Sequence, residues 1–234
     1  MITARDMAIV GWLDSVGYAR TSQVAAVHVP RRTQSVLIAR RRLRALHEAG
    51  MVRRFSDSRL GEYVWHTRAK EKGQKYEHGL MVSSVAAALA VHPSLYSYDY
   101  TPAYRRETGT GYSFEADAFA VCCGRHPDGT DVTTLAFIEC DHAEDLSTWQ
   151  AWRRYADYLL AGDWRAEDWW RRFETFPRVV FVGRADRLTV MRRRIADAGG
   201  AGRLSFGWLD VTELARGNLA ALGWPRRKGV GSDA

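Results

Sequence analysis

The chain has 234 residues, 46% of them hydrophobic, enough to bury a sizeable core in one or two domains. It carries 34 Lys+Arg against 27 Asp+Glu, a formal net charge of +7. No apolar run approaches the ~18 residues of a membrane helix and the amino terminus lacks an apolar signal segment, which excludes a membrane-spanning chain and predicts a soluble, cytoplasmic one.

Along the chain, Thr3-Ala4-Arg5-Asp6 has capping-box spacing and opens a helix with Ile9, Val10 and Leu13 at core positions, closed by the Gly17-Tyr18 turn. Thr21 to His28 supplies a shorter second helix. A third follows Pro30-Arg31-Arg32-Thr33, with Thr33 placed to cap its start and Gly50 placed where a left-handed residue ends helices. Its angular split puts Val36, Ala39, Leu43 and Leu46 on an inward stripe and Gln34, Ile38, Arg41 and Arg44 on the opposite side. Met51 to Phe55 and Tyr63 to His66 read as strands flanking a polar, glycine-containing hairpin from Ser56 to Glu62. Three helices and a two-stranded ribbon in this order predict a winged helix-turn-helix, whose third helix fits a DNA major groove.

Charge is concentrated in this region: residues 1–75 hold 15 Lys+Arg against 6 Asp+Glu, whereas the remainder is slightly acidic. Such an asymmetry marks a phosphate-binding surface, and the partner it predicts is double-stranded DNA. On this reading Thr33, Gln34, Ile38 and Arg41 reach base edges. Arg31, Arg32, Arg42 and Arg44 lie toward phosphates, Arg53 adds to the same surface from the following strand, and Arg59 on the wing enters the minor groove. The same basic face could instead be a solvated surface on a winged helix used for protein contacts.

A polar, charge-dense run between residues 68 and 78 predicts the domain boundary, giving a DNA-binding domain over 1–75, an α/β domain over 76–225 and a flexible tail over 226–234. In the second domain Glu77 to Val91 reads as a helix ended by Pro93. An extended stretch, Tyr96–Tyr104, and a strand from Phe114 to Val121 follow. A Pro127-Asp128-Gly129-Thr130 turn leads to the strand Thr133–Cys140. Then come a helix from Leu146 to Leu160, a strand Arg178–Val182, a helix Asp186–Ala198 and a strand Leu204–Leu209. Cys122, Cys123 and Cys140 lack CxxC spacing, so they predict neither a disulfide framework nor a zinc site, but buried small hydrophobes. Trp149, Trp152, Trp164, Trp169 and Trp170 either pack between layers or stack on unpaired bases.

Asp117 in one strand and Glu139 and Asp141 on a common face of its partner bring acidic groups together, the outline of a PD-(D/E)xK nuclease fold. In such enzymes the Asp and Glu hold Mg²⁺, while a lysine two residues after the Glu helps activate the attacking water. Here that position is Asp141, and no lysine occurs from Tyr76 to Arg227. Arginine stays protonated and cannot substitute as proton acceptor, so the site reads as catalytically degenerate, with Asp117 and Glu139 as the residual metal candidates. His142 lacks a second histidine at ligand spacing and reads as a surface residue.

Several stretches resemble the replication-relaxation proteins of plasmids, phages and integrative elements. They are the run Arg42 to Val52, Glu77-His78-Gly79-Leu80, Glu115-Ala116-Asp117-Ala118, Phe137-Ile138-Glu139-Cys140-Asp141 and Trp152-Arg153-Arg154-Tyr155, within a likeness covering roughly residues 5–185. Glu115 stands where that family shows proline, and the helix lysine is missing. The resemblance implies a winged helix joined to a nuclease-like α/β domain. It also implies a role in DNA maintenance, replication or transfer of such an element. A sequence-selective DNA-binding protein of this kind is expected to serve transcriptional control or origin binding, with a homodimer or a replication or transfer protein as its expected partner. A metal-dependent nuclease or nickase and a structural adaptor of a relaxosome are the alternatives.

Overall fold

Thr3 opens the first helix through a closed capping box: its N–H donates to Asp6 at 2.7 Å while the Asp6 N–H donates back to the Thr3 hydroxyl. The protein is described by a computed structural model over residues 1–29, 33–67, 76–107, 113–126, 128–141, 147–202 and 204–222. It is a mixed α and β chain that divides into two units after Pro93.

The first unit runs α1 (Ala4–Val16), β1 (Ala19–Arg20), α2 (Thr21–His28), α3 (Ser35–Glu48), β2 (Val52–Asp57), β3 (Glu62–Thr67) and α4 (Tyr76–Val91). Gly17 (φ 85°) and Gly50 (φ 70°) take the left-handed turns that release the chain from α1 and α3. The strands form an antiparallel sheet in the order β1-β3-β2, with Phe55 opposite Val64 and Ala19 opposite Trp65. The ribbon expected from sequence thus has a third, two-residue strand, too short to carry a periodic signal. Ile9, Leu13, Val24, Ala39, Leu43, Leu46 and Trp65 form the core. The Trp65 indole N–H donates to the Thr21 hydroxyl at 2.9 Å, which satisfies its one polar atom.

Two details of α3 differ from expectation. Its N-cap is Gln34, with no side-chain capping bond, so Thr33 lies one turn position too early to cap. Val36 is exposed and Ile38 packs against the core, so the buried stripe is centred on Ala39, Leu43 and Leu46 and turned away from Val36.

The helix expected to open the second domain belongs to the first. Gln23 of α2 donates to the Leu80 carbonyl at 3.1 Å and to the Ser84 hydroxyl at 2.7 Å, and accepts from Ser83 at 3.0 Å. Gly79 of α4 lets the backbones meet, because a Cβ there would stand 2.9 Å from the Val16 carbonyl oxygen. The boundary read from the charged run at 68–78 therefore moves to Pro93. A helix apolar on a wide face does not itself declare which neighbour will cover it. The connector residues 68–75 lie outside the described residues, as do Pro127 of the predicted turn, His142 and the tail 226–234.

The second unit contains β4 (Leu95–Glu107), β5 (Ser113–Arg125), β6 (Asp131–Cys140), α5 (Trp152–Ala161), α6 (Asp168–Phe173), β7 (Arg178–Gly183), α7 (Ala185–Asp197), β8 (Phe206–Asp210) and α8 (Val211–Ala215). Its sheet has the order β4-β5-β6-β7-β8; the first three strands are antiparallel and the last two join parallel. The helix predicted over 146–160 begins as a 3-10 turn, Ser147–Ala151, before α5 proper, and Leu146 is outside the described residues. Phe119, Phe137, Val179 and Phe181 of the sheet pack against Trp152 and Tyr155 of α5, Trp169 of α6 and Leu188, Met191 and Ile195 of α7. Cys122 and Cys140 are buried, Cys123 is half-buried, and all three are free thiols.

Candidate nucleic-acid interface and acidic cluster

The core stripe of α3 sets what the opposite face presents. With Ala39, Leu43 and Leu46 inward, Thr33, Gln34, Leu37, Arg40, Arg41 and Arg44 are exposed. Arg40 and Arg44 stand one turn apart and line an open groove of about 430 Å³ together with Arg54, Tyr63 and Glu62 of the hairpin. The Arg54 guanidinium lies 4.2 Å above the Tyr63 ring and 5.5 Å from Trp65, which holds its plane in place. Glu62 accepts from the Ser22 N–H at 3.0 Å and the Ser22 hydroxyl at 2.7 Å, so its charge is engaged on the first turn of α2. Arg53 is exposed on the same hairpin. Among the described residues Arg40, Arg41, Arg44 and Arg53 form no ion pair.

Of the residues assigned to DNA from sequence, Thr33, Gln34, Arg41 and Arg44 are exposed on or beside α3, whereas Arg53 is exposed on the hairpin face opposite Arg54. Three others are not available there. Arg42 donates through Nε at 2.8 Å and through Nη2 to Asp6, a carboxylate without solvent exposure, so it is an internal tie between α3 and α1. Ile38 is engaged with the core. Arg59 is held by Asp57 at 2.9 Å, by Glu77 at 3.1 Å and by the Tyr76 hydroxyl, and its proximity draws the Asp57 carboxyl down to about 2. Arg31 and Arg32 lie outside the described residues. Arg40 and Arg54 were missed: placing Val36 inward rotates the wheel away from Arg40, and Arg54 becomes visible only through its cross-strand neighbour Tyr63.

In the second unit, alternation along β6 places Phe137, Glu139 and Asp141 on the face covered by α5 and α7. The structure does bring Asp117 and Glu139 together, at the end of the β5–β6 pair. Glu139 is 4% exposed; its Oε1 accepts from the Tyr155 hydroxyl and from Arg154 Nη2 at 3.1 Å. Burial, followed by the charge of Asp117, pushes the Glu139 carboxyl well above the ordinary range, against the opposing pull of Arg154 and Tyr155. Asp117 Oδ2 accepts from the Cys140 N–H at 2.7 Å, which ties the two strand ends. Asp141 is drawn elsewhere: Arg187 of α7 grips both its oxygens, at 2.5 and 3.0 Å. Each carboxylate thus joins β6 to another element: Asp117 to β5, Glu139 to α5 and Asp141 to α7.

This donor set suits Mg²⁺ poorly: Glu139 Oε1 is already taken by Arg154 and Tyr155, and Asp141, at the position a catalytic lysine would hold, is gripped by Arg187. Among the described residues no group of three or more His, Cys, Asp or Glu is placed to share a metal ion. The tryptophans are largely core: Trp152, Trp164 and Trp169 are buried, with the Trp164 and Trp169 N–H groups donating to the Leu159 carbonyl and the Tyr104 hydroxyl, while Trp149 and Trp170 are half-buried against them.

Among the described residues no helix is long and apolar enough to cross a membrane. Comparison of the chain with protein-family models, with curated proteins and with solved structures finds no match.

Proposed function

We propose that this chain is a sequence-selective double-stranded DNA-binding protein whose first unit works as a winged helix, α3 entering the major groove and the β2–β3 hairpin lying beside it. The observation that carries this reading is the exposed face of α3: Arg40, Arg41 and Arg44 have no ion-pair partners among the described residues, and Arg40 and Arg44 share their groove with Arg54 of the hairpin. Unpaired guanidinium groups on one helix face favour a polyanion, and a helix of 14 residues is long enough to lie across a major groove. Arg41 with Thr33 and Gln34 would reach base edges; Arg40, Arg44, Arg53 and Arg54 would reach phosphates.

The second unit supports a nuclease-like scaffold in element order, three antiparallel strands followed by a helix layer and parallel strands, with its acidic residues used as internal ties. Together with the resemblance to replication-relaxation proteins, this favours a cytoplasmic role in replication, transfer or transcriptional control of a plasmid, phage or integrative element. A homodimer or a replication-protein partner would fit that role. The juxtaposition of Asp117 and Glu139 is the one observation that favours a metal-dependent nuclease instead, and the poor fit to Mg²⁺ weighs against it.

The deciding experiment is selection from a random duplex library, followed by incubation of the recovered DNA with Mg²⁺ or Mn²⁺. Enrichment of discrete sites that stay intact is the expected result. Strand breaks abolished by Asp117→Asn would establish the nuclease, and enrichment of no sequence would overturn selective recognition.

A further inference from the structure

Arg178 opens β7 beside Ala136 of β6, in a half-buried position. Its Nη2 donates to the Phe206 carbonyl at 3.2 Å and to the Ser205 hydroxyl at 3.5 Å. Its Nε is sealed from solvent without an acceptor, and among the described residues no carboxylate pairs with it. Burial lowers the guanidinium pKa with nothing nearby to offset it. A cation partly withdrawn from water and left unpaired is costly to the fold, and native chains usually keep such a group against an anion.

Beside Arg178 lies an open groove of about 290 Å³, lined by Thr133, Thr134, Thr175 and Ser205 with Phe173 and Phe176. No acidic side chain is among the residues that line it. Thr133 donates toward the Cys123 sulfur, at 3.6 Å, whereas Ser205 accepts from Arg178 and keeps its own O–H to give. The groove therefore offers one cation and the hydroxyls of Thr134, Thr175 and Ser205 as separate donors.

We propose that this groove binds a phosphate group, held by Arg178 and the hydroxyls of Thr134, Thr175 and Ser205. A carboxylate is best met by a two-pronged guanidinium fork, but Arg178 has one prong committed to the Phe206 carbonyl. Single donors spread around one positive charge match the several acceptor oxygens of a tetrahedral anion. The phosphate could come from free phosphate or from the backbone of a nucleic-acid strand. The site is independent of α3.

Calorimetric titration of the full chain with inorganic phosphate, with acetate at equal ionic strength and with a short single-stranded oligothymidylate tests this. Saturable phosphate binding that Arg178→Gln weakens about tenfold or more supports the site, as does a weakening of about threefold by Thr175→Val at an exposed position that leaves the melting temperature unchanged. If these variants weaken oligothymidylate binding while Arg44→Ala does not, the site holds and its phosphate belongs to a strand. Acetate binding as tight as phosphate, absence of binding by either phosphate probe, or binding indifferent to Thr175→Val overturns the proposal.

Discussion

Arg42 and Asp6 form a two-pronged ion pair between α3 and α1, with Nε 2.8 Å from Oδ1 and Nη2 on Oδ2. Asp6 simultaneously closes the capping box with Thr3, so one fully buried carboxylate serves a helix terminus and an interhelical tie. Asp6 stands three residues before Ile9 and seven before Leu13, on the helix face that these core residues bury.

Removing the arginine strands that charge. Arg42→Ala should lower the midpoint of denaturant unfolding, whereas Arg41→Ala should leave stability within about 0.5 kcal/mol. The Arg42 contact holds the Asp6 carboxyl well below its ordinary 3.8. A depressed carboxylate contributes stability that is fully present above the unfolded value and lost as pH falls below it, so wild type should weaken on acidification below about pH 4. The Arg42→Ala variant should lose most of that acid dependence; unchanged stability in the variant would remove the tie from the account.

The same geometry sorts the arginines for DNA. On the reading proposed above, Arg41→Ala should relax sequence preference by about 1–3 kcal/mol at one position, measured by competition between selected and scrambled duplexes. Arg40→Ala and Arg44→Ala should weaken all duplexes alike and each lower the salt slope by about one. Arg59→Ala, its guanidinium already engaged by Asp57 and Glu77, should change affinity by less than about threefold. A large loss from Arg59→Ala with none from Arg40→Ala would reverse the placement of the interface.

Glu139 gives a pH test of the acidic cluster. Its carboxyl is raised mainly by burial, so the folded state holds its proton more tightly than the unfolded chain does. Stability from this group is therefore present below the unfolded value near 4.5 and is lost as pH rises toward the elevated folded one. Glu139→Gln removes that penalty and should melt about 3 °C higher than wild type at pH 9 while differing little at pH 5. A variant that melts lower at both values would mean that the ionised form is the one the fold prefers.

Among the described glycines of the second unit, Gly207 of β8 makes a very close backbone approach. A Cβ there would lie 2.2 Å from the Ala221 carbonyl oxygen, so the 3-10 turn at 220–222 would have to shift. Gly207→Ala should cost about 2 kcal/mol, seen as a lower midpoint in urea without a change of slope. Gly217 to alanine would be a poor control because its φ is 72°, whereas Gly202, with open space around it, should tolerate the change.

Much of the local structure could be read from residue order. Thr3 and Asp6 declared the first helix start, Gly50 the end of α3, and Thr21 to His28 the second helix to the residue, because caps and turns depend on groups within a few positions of one another. The strands came out longer than expected on both sides of the β5–β6 hairpin, since pairing extends a strand past its own apolar run. Helix α6 went unread: Asp168 to Phe173 spans less than two turns, and its tryptophans show no period until Trp169 meets Phe119 and Phe137.

The periodicity of α3, the segregation of charge into the amino-terminal third and the absence of lysine between Tyr76 and Arg227 were legible in residue order alone. Each is a property of spacing or of count. What folding settled was the partner each charge found. Arg42 and Arg41 are adjacent and chemically identical, yet one faces buried Asp6 and the other faces water. Asp117 and Glu139 meet, but Asp141, two residues on, goes to Arg187, more than forty positions away. A helix turn of one hundred degrees or a single strand alternation redirects a side chain completely, and the long-range neighbour that receives it has no signature in the local sequence.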